Sequence, residues 1–386
     1  MNRKLRIGLI FGGRSGEHEV SLLSARGVMQ ALDKEKYDIV PIGITKEGRW
    51  IIAGDPMRAL TSGEITASRP AALLAEPSHR GIIHLEERDE PEGLVALDAS
   101  PIDVAFPILH GPYGEDGTIQ GLLELADLPY VGAGVTASAV GMDKAVFKDV
   151  MQAHGLPVVP CVVIKRRSWE QDPEGTIAQI EAEIGYDCFV KPANLGSSVG
   201  ISKAHNRAEL IAALEDAALY DRKLIVEMAV DAREIEVSVL GNDVPIASVP
   251  GEIVPCNEFY DYSAKYLDGE SQLLIPAPIP EGSAQQIQNM AIKAYQAMDC
   301  AGMARVDFLL DRKTDTVYLN EVNTLPGFTP ISMYPQLWAA TGIGYTELLD
   351  RLIELALERH QDQSRSATSY QAPKRIVSRA DSSDRS

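Results

Sequence analysis

Two stretches late in the chain carry the residues best suited to chemistry. Met303-Ala-Arg-Val-Asp-Phe-Leu-Leu310 and Thr316-Val-Tyr-Leu-Asn-Glu-Val-Asn323 both alternate polar and apolar residues with period two, and a turn-like run, 311–315, separates them. They read as an antiparallel hairpin. Arg305 and Asp307 share a face of its first strand, Glu321 and Asn323 a face of its second. A register centred on Thr314 sets Asp307 opposite Glu321 and Arg305 opposite Asn323. A slip of one residue would undo that arrangement. Two facing carboxylates on a half-buried surface repel each other. Arg305 alone could relieve the repulsion; so could a divalent cation. Two carboxylates and an amide form an oxygen-only set of the kind Mg²⁺ takes while leaving positions for substrate phosphates.

Phosphates also need donors. Lys191 closes a short apolar run and leads into Asn194-Leu-Gly-Ser-Ser-Val-Gly200. Glycines let backbone N–H groups approach an anion, and the hydroxyls of Ser197 and Ser198 add donors. A cover for phosphates and an ordinary hairpin turn are both open readings. A third, the Gly-x-Ser-x-Gly elbow of a serine hydrolase, fails. It requires a helix directly after Ser198, where Val-Gly-Ile-Ser looks like strand, and a suitable later histidine. His205 is too close and His360 lies at the edge of a polar tail. Lys144 is a second candidate phosphate ligand, with a solvated helix face as the alternative. Glu227 and Glu234 flank a short link, where a carboxylate could accept ribose hydroxyls or be merely solvated. Gly-x4-Gly-Lys-Ser/Thr and a post-strand Gly-x-Gly-x-x-Gly are both absent.

The elements that must position these groups follow from periodicity. A strand at 5–11 breaking at Gly12-Gly13, a helix at 17–32 and a strand at 37–44 open a doubly wound α/β unit. Residues 46–100, broken by Gly and Pro, read as an insertion. A strand at 102–109 runs into His110-Gly-Pro-Tyr-Gly-Glu-Asp-Gly117, followed by a helix at 119–126. A long helix then carries Met142-Asp-Lys144 near its middle and ends before Pro157. From 158 the pattern becomes a compact α+β unit. Paired strands at 234–240 and 244–250, a polar and aromatic excursion at 260–269, a helix at 284–298, the hairpin and a helix at 345–358 complete the chain. The tail from 361 has little apolar content and is expected to be disordered.

At 386 residues the chain exceeds one small core. Its 36 Lys and Arg against 55 Asp and Glu argue against general polyanion binding and leave room for a local basic pocket. The four cysteines show no ligand spacing, so neither zinc nor a disulfide framework is indicated. No segment nears the ~20 apolar residues of a membrane span, and the first apolar run ends in a glycine pair instead of a cleavage site. A cytoplasmic protein without nucleic-acid or membrane partners is expected.

With these residues laid out, the chain resembles the ATP-grasp superfamily and, within it, the D-alanine–D-alanine ligase family. The resemblance spans roughly residues 5–358. It rests on Gly12-Gly-Arg-Ser-Gly-Glu-His-Glu-Val-Ser21, His110-Gly-Pro-Tyr-Gly-Glu-Asp-Gly117, Met142-Asp-Lys144, Lys191-Pro-Ala-Asn-Leu-Gly-Ser-Ser-Val-Gly200, Tyr260-Asp-Tyr-Ser-Ala-Lys-Tyr266, Arg305-Val-Asp307 and Asn320-Glu-Val-Asn-Thr-Leu-Pro-Gly327. It implies a three-domain ATP-grasp fold. The expected parts are an N-terminal doubly wound domain at 1–143 with the insertion at 46–100, a central small domain at 144–227, and a metal-binding domain at 228–360, followed by the tail at 361–386.

The resemblance also implies two Mg²⁺ ions, with Mn²⁺ as an alternative, on Asp307, Glu321 and Asn323, and ATP between the second and third domains. Lys144 and Lys191 would contact its phosphates with Ser198 in the covering loop, Glu234 the ribose and Glu227 the adenine region. Glu17 would take the first D-alanine's ammonium, with His110 nearby; their plain alternatives are a helix-first-turn acid and a strand-capping histidine. Ser197 and Tyr266 would join Glu17 in closing the site. Lys265 would reach the transferred phosphate and Arg305 would stabilise developing charge. Ser332 and Gly327 would hold the second substrate's carboxylate. The resemblance further implies a homodimer. D-lactate or D-serine as second substrate is the near alternative, and an inactive nucleotide-binding regulator the distant one.

Overall fold

A computed structural model describes residues 3–52, 54–64, 69–88, 93–196, 199–254, 272–367 and 369–370. Among them seventeen strands form three sheets. The first contains β1 (Leu5–Gly12), β2 (Tyr37–Ile44), β3 (Trp50–Ile52), β4 (Arg69–Leu73), β5 (Gly81–Arg88), β6 (Gly93–Pro101) and β7 (Val104–Ile108), in the order β6-β5-β4-β3-β2-β1-β7. β1 runs parallel to both β2 and β7. Its near-continuous apolar run suits a strand covered on both faces, and its last six residues are buried. The insertion is no separate excursion. Its strands pair antiparallel one after another and widen the sheet beyond β2.

Helices α1 (His18–Ala31), α2 (Pro56–Ser62), α3 (Thr118–Leu125), α4 (Val135–Met142) and α5 (Lys144–Ala153) accompany this sheet and lead out of it. The expected long helix around Met142-Asp-Lys144 is two helices. Asp143 leaves helical geometry (φ −88°, ψ 95°), and its carboxylate accepts the N–H groups of Ala145 and Val146 at 3.2 and 3.1 Å. An aspartate competes with the backbone in this way, so it ends one helix and caps the next. Lys144 therefore opens a helix.

The second sheet holds β8 (Cys161–Lys165), β9 (Cys188–Pro192), β10 (Ser202–Ala204) and β11 (Lys223–Met228), ordered β10-β9-β11-β8 and antiparallel throughout. Helices α6 (Arg166–Gln171), α7 (Pro173–Glu183) and α8 (Arg207–Tyr220) lie along it, and Ile164, Ile180, Val190, Leu214 and Val226 fill a core of its own.

The third sheet contains β12 (Ala232–Gly241), β13 (Ile246–Ala247), β14 (Gly251–Val254), β15 (Gln272–Leu274), β16 (Gly302–Asp311) and β17 (Val317–Asn323). Its order is β15-β14-β12-β16-β17, with β13 also on β12. Helices α9 (Glu281–Ala297), α10 (Met333–Ala340) and α11 (Tyr345–Gln363) complete the fold. α11 continues to Gln363, past the expected end at 358 and into the stretch read as tail. Ile7, Leu9 and Phe106 of the first sheet share one core with Phe328, Trp338 and Leu352. Phe106 and Phe328 meet edge to face at 6.1 Å.

Candidate active site

The central strand of the site is β16. Asp307 pairs with Glu236 of β12 on one side and Glu321 of β17 on the other, so three carboxylates lie in a row across three strands. Arg305, two residues away on the same face, sits between Ser238 and Asn323. Its guanidinium forks onto Asp307, with Nε donating to Oδ1 at 2.8 Å and Nη2 to Oδ2 at 2.7 Å, and lies 3.1 Å from Glu236 Oε2. Burial works against the Arg305 charge, but Asp307, Glu236 and Glu321 outweigh it. The register at Asp307 and Arg305 agrees with the sequence expectation, through a device the sequence did not reveal. Nearer the turn, Phe308 pairs with Leu319, so Asn320 is an extra residue in β17. This β-bulge keeps Glu321 on the face of Asp307. Glu236 escaped the sequence reading because its partners come from a strand pair 70 residues apart.

The lysines converge on this face from another element. Lys144 is not on a solvated helix face: its side chain is 13% exposed, Nζ donates to the Leu195 carbonyl at 3.0 Å and lies 3.5 Å from Glu321 Oε2. Its backbone N–H donates to the Ala193 carbonyl at 2.9 Å. Asp143 anchors this corner through a close ion pair with Lys223 of β11. Lys191 of β9 donates to Glu227 Oε2 at 2.7 Å, and Lys148, which the sequence reading passed over, stands 3.2 Å from Glu227 Oε1. Lys148 sits at i+4 from Lys144, a spacing that could have flagged it. Burial alone would raise the Glu227 pKa, yet Lys191 and Lys148 bring it down to about 2. Burial opposes the charge on Lys191, and Glu227, Glu321 and Glu234 more than restore it. Glu234 lies on β12, partly exposed, two residues before Glu236.

Glu17, just before α1, accompanies a tight turn after β7. Gly111 there has φ +73°, and a Cβ on it would lie 2.6 Å from Glu17 Oε2; one on Gly196 would lie 3.2 Å from the same oxygen. The loop stem after β9 therefore reaches Glu17. His110 is buried, with Nδ1 3.0 Å from the Leu325 carbonyl and 3.5 Å from Glu115 Oε1, and Nε2 3.2 Å from Ser24 Oγ. Burial disfavours a charged imidazole, but Glu115 and Glu17 raise the His110 pKa on balance. Burial pushes the Glu115 carboxyl up to about 7, against the pull of His110, while Glu17 adds to the rise. A cavity of about 290 Å³ opens beside His110, lined by Gly13, Arg14, Trp50, Leu109 and Tyr113 among others. A larger one of about 480 Å³, between Asp127, Tyr130 and Arg359, is lined by His360, the histidine set aside in the sequence, and by none of the residues expected to bind ATP, metal or D-alanine.

Ser332 occupies the N-cap position of α10, its Oγ accepting the Thr329 N–H at 3.1 Å. A Cβ on Gly327 would come 3.0 Å from that oxygen, so the two stand together as expected. Ser197, Ser198, Lys265 and Tyr266 lie outside the described residues.

Asp307 and Glu321 suit a hard divalent cation: opposed carboxylates with a cationic side chain beside each. Asn323 flanks them two residues on; its Oδ1 accepts the Leu325 N–H at 3.1 Å, and a carbonyl oxygen keeps a second lone pair. Among the described residues no group of three or more His, Cys, Asp or Glu is placed to hold a metal ion, so the fit rests on this pair and the amide.

Family comparison agrees with this geometry. The D-ala D-ala ligase N-terminus family matches residues 6–133, and the D-ala D-ala ligase C-terminus family matches residues 150–354. The chain is 54% identical over 365 residues to a D-alanine–D-alanine ligase of Heliobacterium modesticaldum, covering 95% of this chain and 98% of that protein. The solved D-alanine–D-alanine ligase from Coxiella burnetii is similar at TM-score 0.80 and 38% identity, over 94% of this chain and 96% of its own. The VanG D-Ala:D-Ser ligase from Enterococcus faecalis gives TM-score 0.80 at 35% identity, over 92% and 100%. A carboxylate face on β16 and β17, with lysines brought to it from β9 and the start of α5, thus sits in a three-domain ATP-grasp fold, and the chain belongs to the D-alanine–D-alanine ligase family.

Proposed function

We propose that this protein joins two D-alanine molecules into D-alanyl-D-alanine with conversion of ATP to ADP and phosphate, a step in supplying peptidoglycan precursors. The observation that carries the reading is Asp307 held opposite Glu321, with Lys144 Nζ 3.5 Å from Glu321. That combination of opposed acids and a nearby buried cation suits a nucleotide phosphate chain with its metal. The carboxylate of the first D-alanine attacks the γ-phosphate; the amine of the second then attacks the acyl phosphate and releases phosphate. Phosphoryl transfer needs little covalent help from the protein, so the residues act mainly by placing groups and balancing charge.

In this reading Glu17 takes the first ammonium with His110 beside it, and Lys144, Lys191 and Ser198 bind the phosphates. Glu234 meets the ribose, and Glu227 lies at the adenine end, where it also fixes Lys191. Arg305 balances charge developing on oxygen, and Lys265 meets the transferred phosphate. Ser197 and Tyr266 close over Glu17, while Ser332 and Gly327 receive the second carboxylate. Asp307, Glu321 and Asn323 would hold two Mg²⁺, or Mn²⁺, which neutralise charge on phosphate oxygens when bound. The domains divide near 143 and 227, with 228–360 carrying the metal residues. The molecule works as a cytoplasmic homodimer without nucleic-acid or membrane partners. No helix among the described residues is long and apolar enough to cross a membrane.

Phosphate release from ATP and Mg²⁺ tests the reading. Release that requires D-alanine is expected; release without D-alanine, or none with it, would refute the assignment. Competition of D-alanine with D-serine and D-lactate at near-neutral pH identifies the second substrate, and the dipeptide is the expected product.

A further inference from the structure

We propose that Glu115 is a positioning residue of the amino-acid end of the site: it holds the His110 ring on the Leu325 carbonyl and ties the subsite at Glu17 to the segment carrying Gly327 and Ser332. The inference rests on the reading of that site given above. It arises from a buried acid in the His110-Gly-Pro-Tyr-Gly-Glu-Asp-Gly117 turn to which the mechanism assigns no task.

Glu115 belongs to the same turn as His110. Its N–H donates to the Gly111 carbonyl at 3.0 Å, and its side chain, 13% exposed, comes back to 3.5 Å from His110 Nδ1. The ring is held on its other edge as well. Ser24 Oγ lies 3.2 Å from Nε2 and also accepts the Phe328 N–H at 3.2 Å. His110 and Ser24 thus grip residues 325 and 328, on either side of Gly327. The nearer neighbour of Nδ1 is the Leu325 carbonyl, which can only accept, so Nδ1 carries a hydrogen in either charge state of the ring. The hydroxyl at Nε2 can donate or accept. The grip therefore survives gain or loss of a proton, and the nearby acids set how readily the ring is charged.

Two acids act on this ring among the described residues: Glu115 in its own turn, and Glu17 from the segment before α1. Glu17 Oε2 lies against Gly111, inside the volume that a Cβ there would need. An ammonium arriving at Glu17 offsets its negative charge and removes part of the reason for the His110–Glu115 pair to keep its proton. Occupancy of the first amino-acid subsite is in this way linked to the charge of the group that grips the second.

The test is an NMR titration of ¹⁵N-labelled imidazole in the full-length protein, with and without D-alanine, in wild type and Glu115→Gln. His110 is expected to titrate above an ordinary histidine, to fall when D-alanine binds, and to fall already without D-alanine in Glu115→Gln. Loss of a hydrogen bond to a charged group should also raise KM for D-alanine about tenfold, with KM for ATP little changed. Glu115→Asp keeps the charge on a shorter stem, should show the same changes at smaller size, and serves as the test if the glutamine variant does not fold. An unchanged His110 titration overturns the proposal; so does a KM change shared equally by ATP and D-alanine, which marks general loosening. The substrate-free titration stands apart from the identity of the substrate, so its failure is distinguishable from failure of the ligase reading.

Discussion

Asp307 faces Glu321 because β17 carries one residue more than β16 between the turn and the site, and that residue is Asn320. Side chains alternate along a strand, so without Asn320 every later residue of β17 would change faces. Deletion of Asn320 is expected to preserve the hairpin and abolish ligation, because Glu321 and Asn323 would leave the Asp307 face. Circular dichroism and D-alanine-dependent phosphate release check this. An active deletion variant would show that the bulge does not set the site.

Glu321→Gln is the gentlest probe of the carboxylate pair. The Glu321 side chain is 32% exposed, so stability should change by no more than about 0.5 kcal/mol. Activity should drop on the order of 10²-fold or more, as for loss of one group that balances transition-state charge. Raising Mg²⁺ should recover part of it. Thermal melts and rates over a Mg²⁺ series measure both effects.

Gly111→Ala combines two penalties. Its φ of +73° costs a side chain about 1–2 kcal/mol, and the new Cβ would displace Glu17 Oε2 from 2.6 Å. A lower Tm is expected together with a raised KM for D-alanine. KM for ATP should hold, because the lysines at Leu195 and Glu227 belong to other elements.

The Glu227 carboxyl is held near 2 despite its burial, because Lys191 and Lys148 need its charge. Its folded pKa is depressed, so its contribution to stability is complete above the ordinary carboxylate value of 4.5 and is lost as pH falls toward 2. Wild-type melting temperature should therefore fall across that acid range. Glu227→Gln leaves two lysines without their countercharge, should be less stable at neutral pH by about 3–5 kcal/mol, and should lose less on acidification. Melting curves at several pH values decide it.

Much of this was legible in the sequence because the relevant signals are local. Period-two alternation gave the β16–β17 hairpin and the pairs at Asp307 and Arg305, while the pairs nearer the turn lie one residue off the register centred on Thr314; β2 appears within the bounds its apolar run suggested. The breaks came where a side chain competes with the backbone or a partner is distant. Asp143 splits an otherwise helical run by capping it, an effect that periodicity does not register. Glu236 and Lys148 acquire meaning through Asp307 of β16 and Glu227, which sequence spacing does not place beside them. The insertion showed in sequence as a stretch broken by Gly and Pro, and only pairing in series makes its strands one sheet edge.

The shared core of the first and third sheets has a mechanical consequence. Phe106 and Leu9 pack with Phe328 and Leu352, whereas Ile164, Val190 and Leu214 pack among themselves. Sequence order gives three parts, but apolar burial welds the first and last into one rigid frame and leaves 161–228 as a separate jaw. A jaw with its own core can swing without opening the frame. Among its contacts across the gap are polar ones: Lys144 with the Leu195 carbonyl, Asp143 with Lys223, and the buried pair of Lys148 with Glu227. Force or mild denaturant should therefore unlatch the jaw before the frame yields.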